Sequence, residues 1–204
     1  MAVAERELTT SAQGAEEWNP QPYRWTREQF HQMGEARLFE GQRVILVEGA
    51  ILIMPPIGDL HRSTVTLAGD ALRAAFGAGF FVSEEKPFDI RRATDPQPDI
   101  AVIAGNVRDF LDRGLTEAVI VVEVSDSTLR YDQTDKASLY ASARLADYWI
   151  INLKQRQVEV YRQPTPDEAQ PFGHGYLEVK SYQVGEIIHP LAAPKPVAVA
   201  DLLP

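Results

Sequence analysis

Three residues of this sequence have side chains that could act together on a phosphate: Asp99, Glu123 and Lys136. Asp99 follows Pro98 and opens the short apolar run DIAVIAG, Glu123 stands inside AVIVVEVS, and Lys136 lies in the helix-like stretch YDQTDKASLYASARL. An unbroken apolar run such as AVIVVEVS reads as a strand covered on both faces. A carboxylate buried there without a partner takes up a proton or holds a cation. Two carboxylates on neighbouring strands can share one Mg²⁺, each giving an oxygen at about 2.0–2.6 Å, while a nearby ammonium steadies an attacking hydroxide or a developing phosphorane charge. The ion would neutralise Glu123 and keep both acids ionised. Asp132, Lys136 and Tyr140 follow at four-residue steps, which puts them on one helix face. Each residue also has a plainer reading. Asp99 in PQPD can satisfy the backbone donors of a turn. Asp132 and Lys136 can form an exposed helix ion pair worth about 0.3–0.5 kcal/mol.

The elements that must position these residues follow from pattern. TREQ has the form of a capping box, which predicts a helix from Thr26 to about Ala36. RVILVEG and AILIMPP are β-branched runs meeting near Gly49, as in a hairpin. From Leu60 to Phe76 the residues Leu60, Thr64, Leu67, Ala71, Ala74 and Ala75 recur at helical spacing, and the stretch ends in Gly-Ala-Gly. GFFVSEEKPFDI, residues 79–90, is extended but interrupted at Pro87, as in a bent or edge strand. DIAVIAG, AVIVVEVS, DYWIIN and QVEVYR are further strands, with the helix YDQTDKASLYASARL between the second and third. A Pro-rich break at QPTPDEAQP precedes a last strand pair around YLEVKSYQV. Short buried strands separated by helices predict an α/β (α+β) domain with a mixed sheet flanked by helices.

The chain has 204 residues, 45% hydrophobic and 24% charged, enough for one well-filled core. A formal net charge of -9 argues against a protein that grips nucleic acid or anionic lipid through overall charge, so any DNA contact must be local. Arg91 and Arg92 are the tight basic pair. With no cysteine, the strong ligands are His and carboxylates, which favours a hard, oxygen-liking cation. The first 20 residues hold no apolar stretch and too little aromatic and branched content to pack, and are expected to be a flexible tail, with residues 21–204 as the domain and a cytoplasmic location without membrane attachment.

PQPDIAVI, followed by VVEVSDSTLRYDQTDKASLYASARLADYWIINLKQRQVEVYR, resembles the Uma family of restriction endonucleases within the PD-(D/E)xK nuclease superfamily. The likeness covers most of residues 25–190, including VEGAILIMPPIGDLH. It implies a restriction-endonuclease-like fold, Mg²⁺-dependent phosphodiester chemistry with Mn²⁺ as a substitute, and a homodimer. It makes Asp99 the acid of the PD motif and Glu123 the acid of the second half-motif. Two residues after Glu123, where that motif has Lys, stands Ser125, so the family's lysine corresponds to Lys136 on the following helix. The family carries an acid in the first hairpin where this chain has Ile45, with Glu48 nearby. His61 matches a family histidine at the start of the second helix and could orient water.

The expected function is a Mg²⁺-dependent endonuclease that hydrolyses DNA phosphodiester bonds through Asp99, Glu123 and Lys136, with His61, Glu48 and Asp132 as accessory residues. A nuclease-fold module that binds or regulates without cutting is the alternative, favoured by the acidic composition. A structural protein that oligomerises through its apolar strands is a third.

Overall fold

A computed structural model describes residues 20–90, 93–111 and 114–204. The tail expected over residues 1–20 lies outside the described residues save for Pro20, as does the Arg91–Arg92 pair. The first helix, α1 (Arg27–Glu35), opens as its sequence demands: Gln29 N–H donates to Thr26 Oγ1, and Thr26 N–H donates to Gln29 Oε1. Strands β1 (Arg43–Val47) and β2 (Ala50–Met54) pair antiparallel through a turn at Glu48 and Gly49, both with positive φ. This hairpin is a separate two-stranded sheet.

Helix α2 (Asp59–Phe76) leads to the main sheet, made of β3 (Phe80–Glu84), β4 (Ile100–Ala104), β5 (Ile120–Ser125), β6 (Asp147–Asn152), β7 (Gln157–Pro166) and β8 (His174–Gln183) in that spatial order. Only β5 and β6 run parallel; every other pair in this sheet is antiparallel. Between β5 and β6 the chain forms α3 (Leu129–Tyr131), a π turn at Asp132–Lys136, and α4 (Ala137–Ser142). A short pair, β9 (Ile187–Ile188) and β10 (Val197–Ala198), closes the chain. The result is the mixed sheet with helical cover that the pattern predicts. No helix among the described residues is long and apolar enough to cross a membrane.

Two cores lie on the two faces of the sheet. Val122, Val124 and Trp149 join α2 and the C-terminal Leu202 on one side. Val121, Ala101 and Ile103 join Ala137 and Tyr140 on the other. Because side chains alternate along a strand, Glu123 shares the face of Val121, and Asp99, two residues before Ala101, shares that of Ala101 and Ile103. Both acids therefore look towards the layer containing the π turn and α4.

Two expectations need correction. The buried face of α2 is Val65, Ala68, Leu72, Ala75 and Phe76 with Thr64, whereas Leu60 and Leu67 are exposed and Ala74 faces solvent. Alanines fit several helical stripes equally well, so the larger Leu72 and Phe76 decide which face meets the sheet. The Pro-rich break begins later than expected, because β7 continues through Pro164 and Pro166, and the supposed last strand pair is the single strand β8. The β6 ladder ends at Arg162, so beyond it β7 pairs with β8 alone and a proline without an N–H removes no bond from a central ladder.

Candidate active site

The register Ile100↔Val122 puts Asp99 directly across from Glu123 at the end of the β4–β5 ladder. Their backbones and carboxylates interlock. Val124 N–H donates to Asp99 Oδ2 at 2.8 Å, and Asp99 N–H donates to Glu123 Oε2 at 3.3 Å. Lys136 reaches in from the π turn, with Nζ 2.8 Å from Glu123 Oε2 and 3.0 Å from Asp132 Oδ1. The second contact is an ion pair without hydrogen-bond alignment, which leaves that oxygen short of a proper donor. Tyr140, one turn on, donates its hydroxyl to Glu123 Oε1 at 2.8 Å. Glu123 is fully buried, and Lys136 and Asp132 nearly so. The cation absent from the strand itself thus arrives from the next helix.

The π turn shapes this corner. Ala137 N–H donates to Asp132 C=O, five residues back, and the Tyr148 hydroxyl donates to the same carbonyl at 2.9 Å. The Asp132 carboxylate accepts from the hydroxyls of Ser125 at 2.5 Å and Thr128 at 2.6 Å, both through Oδ2. Ser125, standing where the motif has lysine, therefore positions Asp132, which in turn faces the lysine. Gln133 ties the other side of the turn to Glu159 on β7 at 2.8 Å.

The electrostatics follow from three acids around one ammonium. Burial raises the Glu123 carboxyl to about 8; the Lys136 charge pulls against that rise, and the charges of Asp99 and Asp132 add to it. Burial also pushes Asp99 up, but the His61 hydrogen bond, the charges of Lys136 and His61 and the Val124 N–H outweigh it and leave Asp99 below the usual carboxylate range. Burial pushes Lys136 down, and Glu123, Asp132 and Asp99 together overcome that and raise it. Burial in the company of two other acids thus holds the Glu123 carboxyl well above the usual carboxylate range, in spite of Lys136.

Of the accessory residues, His61 meets the pair: Nε2 lies 3.1 Å from Asp99 Oδ2, and its buried Nδ1 has no hydrogen-bond partner among the described residues. Asp132 is in place as described. Glu48 is not. It sits in the β1–β2 turn, its N–H bonded by Thr94 Oγ1, five residues and about 16 Å along the strand from Arg43, the hairpin residue that does approach Asp99. Ile45 is buried, so the hairpin brings no third carboxylate to the site. Sequence reasoning missed Arg43, whose guanidinium lies 3.7 Å from Asp99 Oδ1, beyond hydrogen-bonding range. It lines a small cleft with Gly58, Leu60, His61 and Thr128, at the mouth of the site.

Among the described residues, no group of three or more His, Asp and Glu side chains is placed to hold a metal ion. Mg²⁺ commonly uses one or two carboxylates, with water and substrate phosphate completing its shell. Asp99 and Glu123 suit that habit. Asp99 Oδ1 has no hydrogen bond among the described residues and remains as an oxygen donor, whereas Glu123 would exchange its contact with Lys136 for the ion.

Comparisons with known proteins give two findings. The family model Uma2, described as "Putative restriction endonuclease", matches residues 27–190. A crystal structure described as a putative nuclease belonging to DUF820 from Anabaena variabilis ATCC 29413 is similar in fold, with a TM-score of 0.60 at 14% identity, covering 87% of this chain and 96% of that one. No curated protein matches.

Proposed function

The chain belongs to the Uma2 family, and from that membership we propose that it is an endonuclease that hydrolyses phosphodiester bonds of DNA with the help of Mg²⁺, for which Mn²⁺ can substitute. The observation that carries the reading is the meeting of Asp99, Glu123 and Lys136 at one point, from two strands and a helix. Asp99 and Glu123 would hold the ion, which supplies Lewis acidity to the phosphate when bound.

The remaining work falls to the chain. Lys136 places a permanent ammonium where negative charge grows on the phosphorus oxygens as water adds and the ester oxygen leaves. Tyr140 fixes the Glu123 carboxylate through Oε1. His61 holds Asp99 through Oδ2, leaving Oδ1 available. Arg43 presents guanidinium donors at the cleft mouth, a geometry suited to a phosphate oxygen and a local answer to the acidic charge of the chain.

The test is incubation of supercoiled plasmid with the purified protein in Mg²⁺, in Mn²⁺ and in chelator. Nicked or linear product with either metal and none with chelator is expected. Metal-dependent DNA binding without any product would instead support the silent binding module. Arg43→Ala is expected to weaken binding of a short duplex by about tenfold in non-cleaving Ca²⁺ and to flatten its salt dependence by about one phosphate contact. Unchanged affinity and salt slope would remove Arg43 from the DNA-contacting surface.

A further inference from the structure

We propose that two copies of this chain join through the free edge of β8, in antiparallel register centred on Val179, to make one continuous sheet. The family resemblance implies that the chain pairs; the edge and the register that it uses are the inference, and they are argued from the strand itself. Strand β8 is ten residues long, lies at the end of the strand order, and among the described residues pairs with β7 alone. A long exposed edge presents unpaired N–H and C=O groups that template another strand, and proteins that stay monomeric blunt such edges with short strands, bulges or unmatched charge. Here the edge is long, and it is apolar at its centre: Leu177 and Val179 are 70% and 55% exposed.

The charges choose both the occupant and the register. A two-fold axis normal to the sheet pairs residues whose numbers have a constant even sum, so that side chains meet on one face. Centring on Glu178 or on Lys180 would set like charges against each other. Centring on Val179 sets Glu178 of each copy opposite Lys180 of the other, twice, and stacks Val179 on its equivalent between them. The match is confined to residues 178–180, because Tyr176 packs with Tyr148 and Tyr161 on one face of the sheet while Tyr182 lies against the core on the other. Glu178 makes no ion pair among the described residues, and Lys180 rests with Nζ 4.3 Å from the centre of the Tyr182 ring, so both charges remain open to a partner. The edge lysine that would repel a chance strand is matched by this chain's own glutamate.

Sedimentation equilibrium of the full chain, without DNA or metal, tests the pairing. A dimer at tens of micromolar is expected for the wild type. Glu178→Lys and Lys180→Glu should each raise its dissociation constant by about tenfold or more, because each puts two like-charge pairs across the axis. The double variant, with both exchanged, should return to near the wild-type value. Val179→Lys, which places two ammonium groups side by side on the axis, should give monomer. A wild type that stays monomeric at about 100 μM, single variants that dimerise like the wild type, or a double variant as weak as the singles would each overturn the proposal.

Discussion

Lys136→Met is expected to reduce DNA cleavage by at least about two to three orders of magnitude and to destabilise the metal-free protein by about 3–5 kcal/mol. The first effect comes from losing a charge that acts mainly as the transition state forms. The second has a separate cause. Lys136 is the ammonium in contact with both Glu123 and Asp132, and neither acid can reach water when it is gone. Added Mg²⁺ should then restore more stability to the variant than to the wild type, since the ion replaces the missing cation and meets no competition for Glu123. Thermal melts of both proteins, with and without Mg²⁺, read all of this. A variant that melts like the wild type would show that the buried acids do not need Lys136. One that cleaves normally would remove it from the chemistry.

Glu123→Gln is expected to weaken Mg²⁺ or Mn²⁺ binding at least tenfold, about 1.4 kcal/mol, in a calorimetric titration. It should also change how the metal-free protein responds to pH. The folded carboxyl titrates near 8, against an ordinary value of 4.5, so the folded state binds the proton more tightly than the unfolded one. The stability this confers is complete below about pH 4.5 and is lost as pH rises through 8, an effect on the order of a few kcal/mol. Asp99, held low, acts with the opposite sign and in a different window: its contribution is present above about pH 4 and is lost in acid. Wild-type stability should therefore decline between about pH 5 and 8, and the Gln variant should lose most of that slope. Because the ion competes with the Glu123 proton, wild-type metal affinity should rise across the same interval. A flat wild-type profile, or equal metal affinity in the two proteins, would show that Glu123 neither keeps a proton nor binds the ion. Glu123→Ala should act on the fold as well as on the metal. With Lys136, Tyr140 and the Asp99 N–H all bonded to it, truncation leaves three buried donors unsatisfied and should destabilise.

The strands carrying the site were legible because β4 and β5 are unbroken apolar runs, and their acids stand out as polar exceptions. The helix after β5 was legible from composition, and the part of its lysine from the family resemblance. What could not be read were relations between distant segments. Arg43 and Asp99 are separated by 56 positions, and nothing in RVILV marks which end of the hairpin turns towards β4. The hairpin acid sought at Glu48 failed for the same reason, since proximity along the chain to Ile45 does not bring a residue to the same end of the strand. The burial of Glu123 was read correctly, but its immediate partner was sought in a metal because Lys136 looked like half of a solvent-exposed helix pair.

The single wide turn at Asp132–Lys136 also sets an angle. On a regular helix, eight residues from Asp132 to Tyr140 advance the side-chain direction by about 80° beyond two full turns, so the three residues at four-residue steps would fan out across the surface. One extra residue absorbed in a wide turn takes back about 100°, which brings the three directions to within about 20° of a common line. The lysine, the tyrosine and the aspartate are thus aimed by a skipped thread in the helical screw rather than by their spacing. Chain length in this segment is consequently part of what specifies the cluster: a homologue that gained or lost one residue here would keep all three side chains in its sequence and point them in different directions.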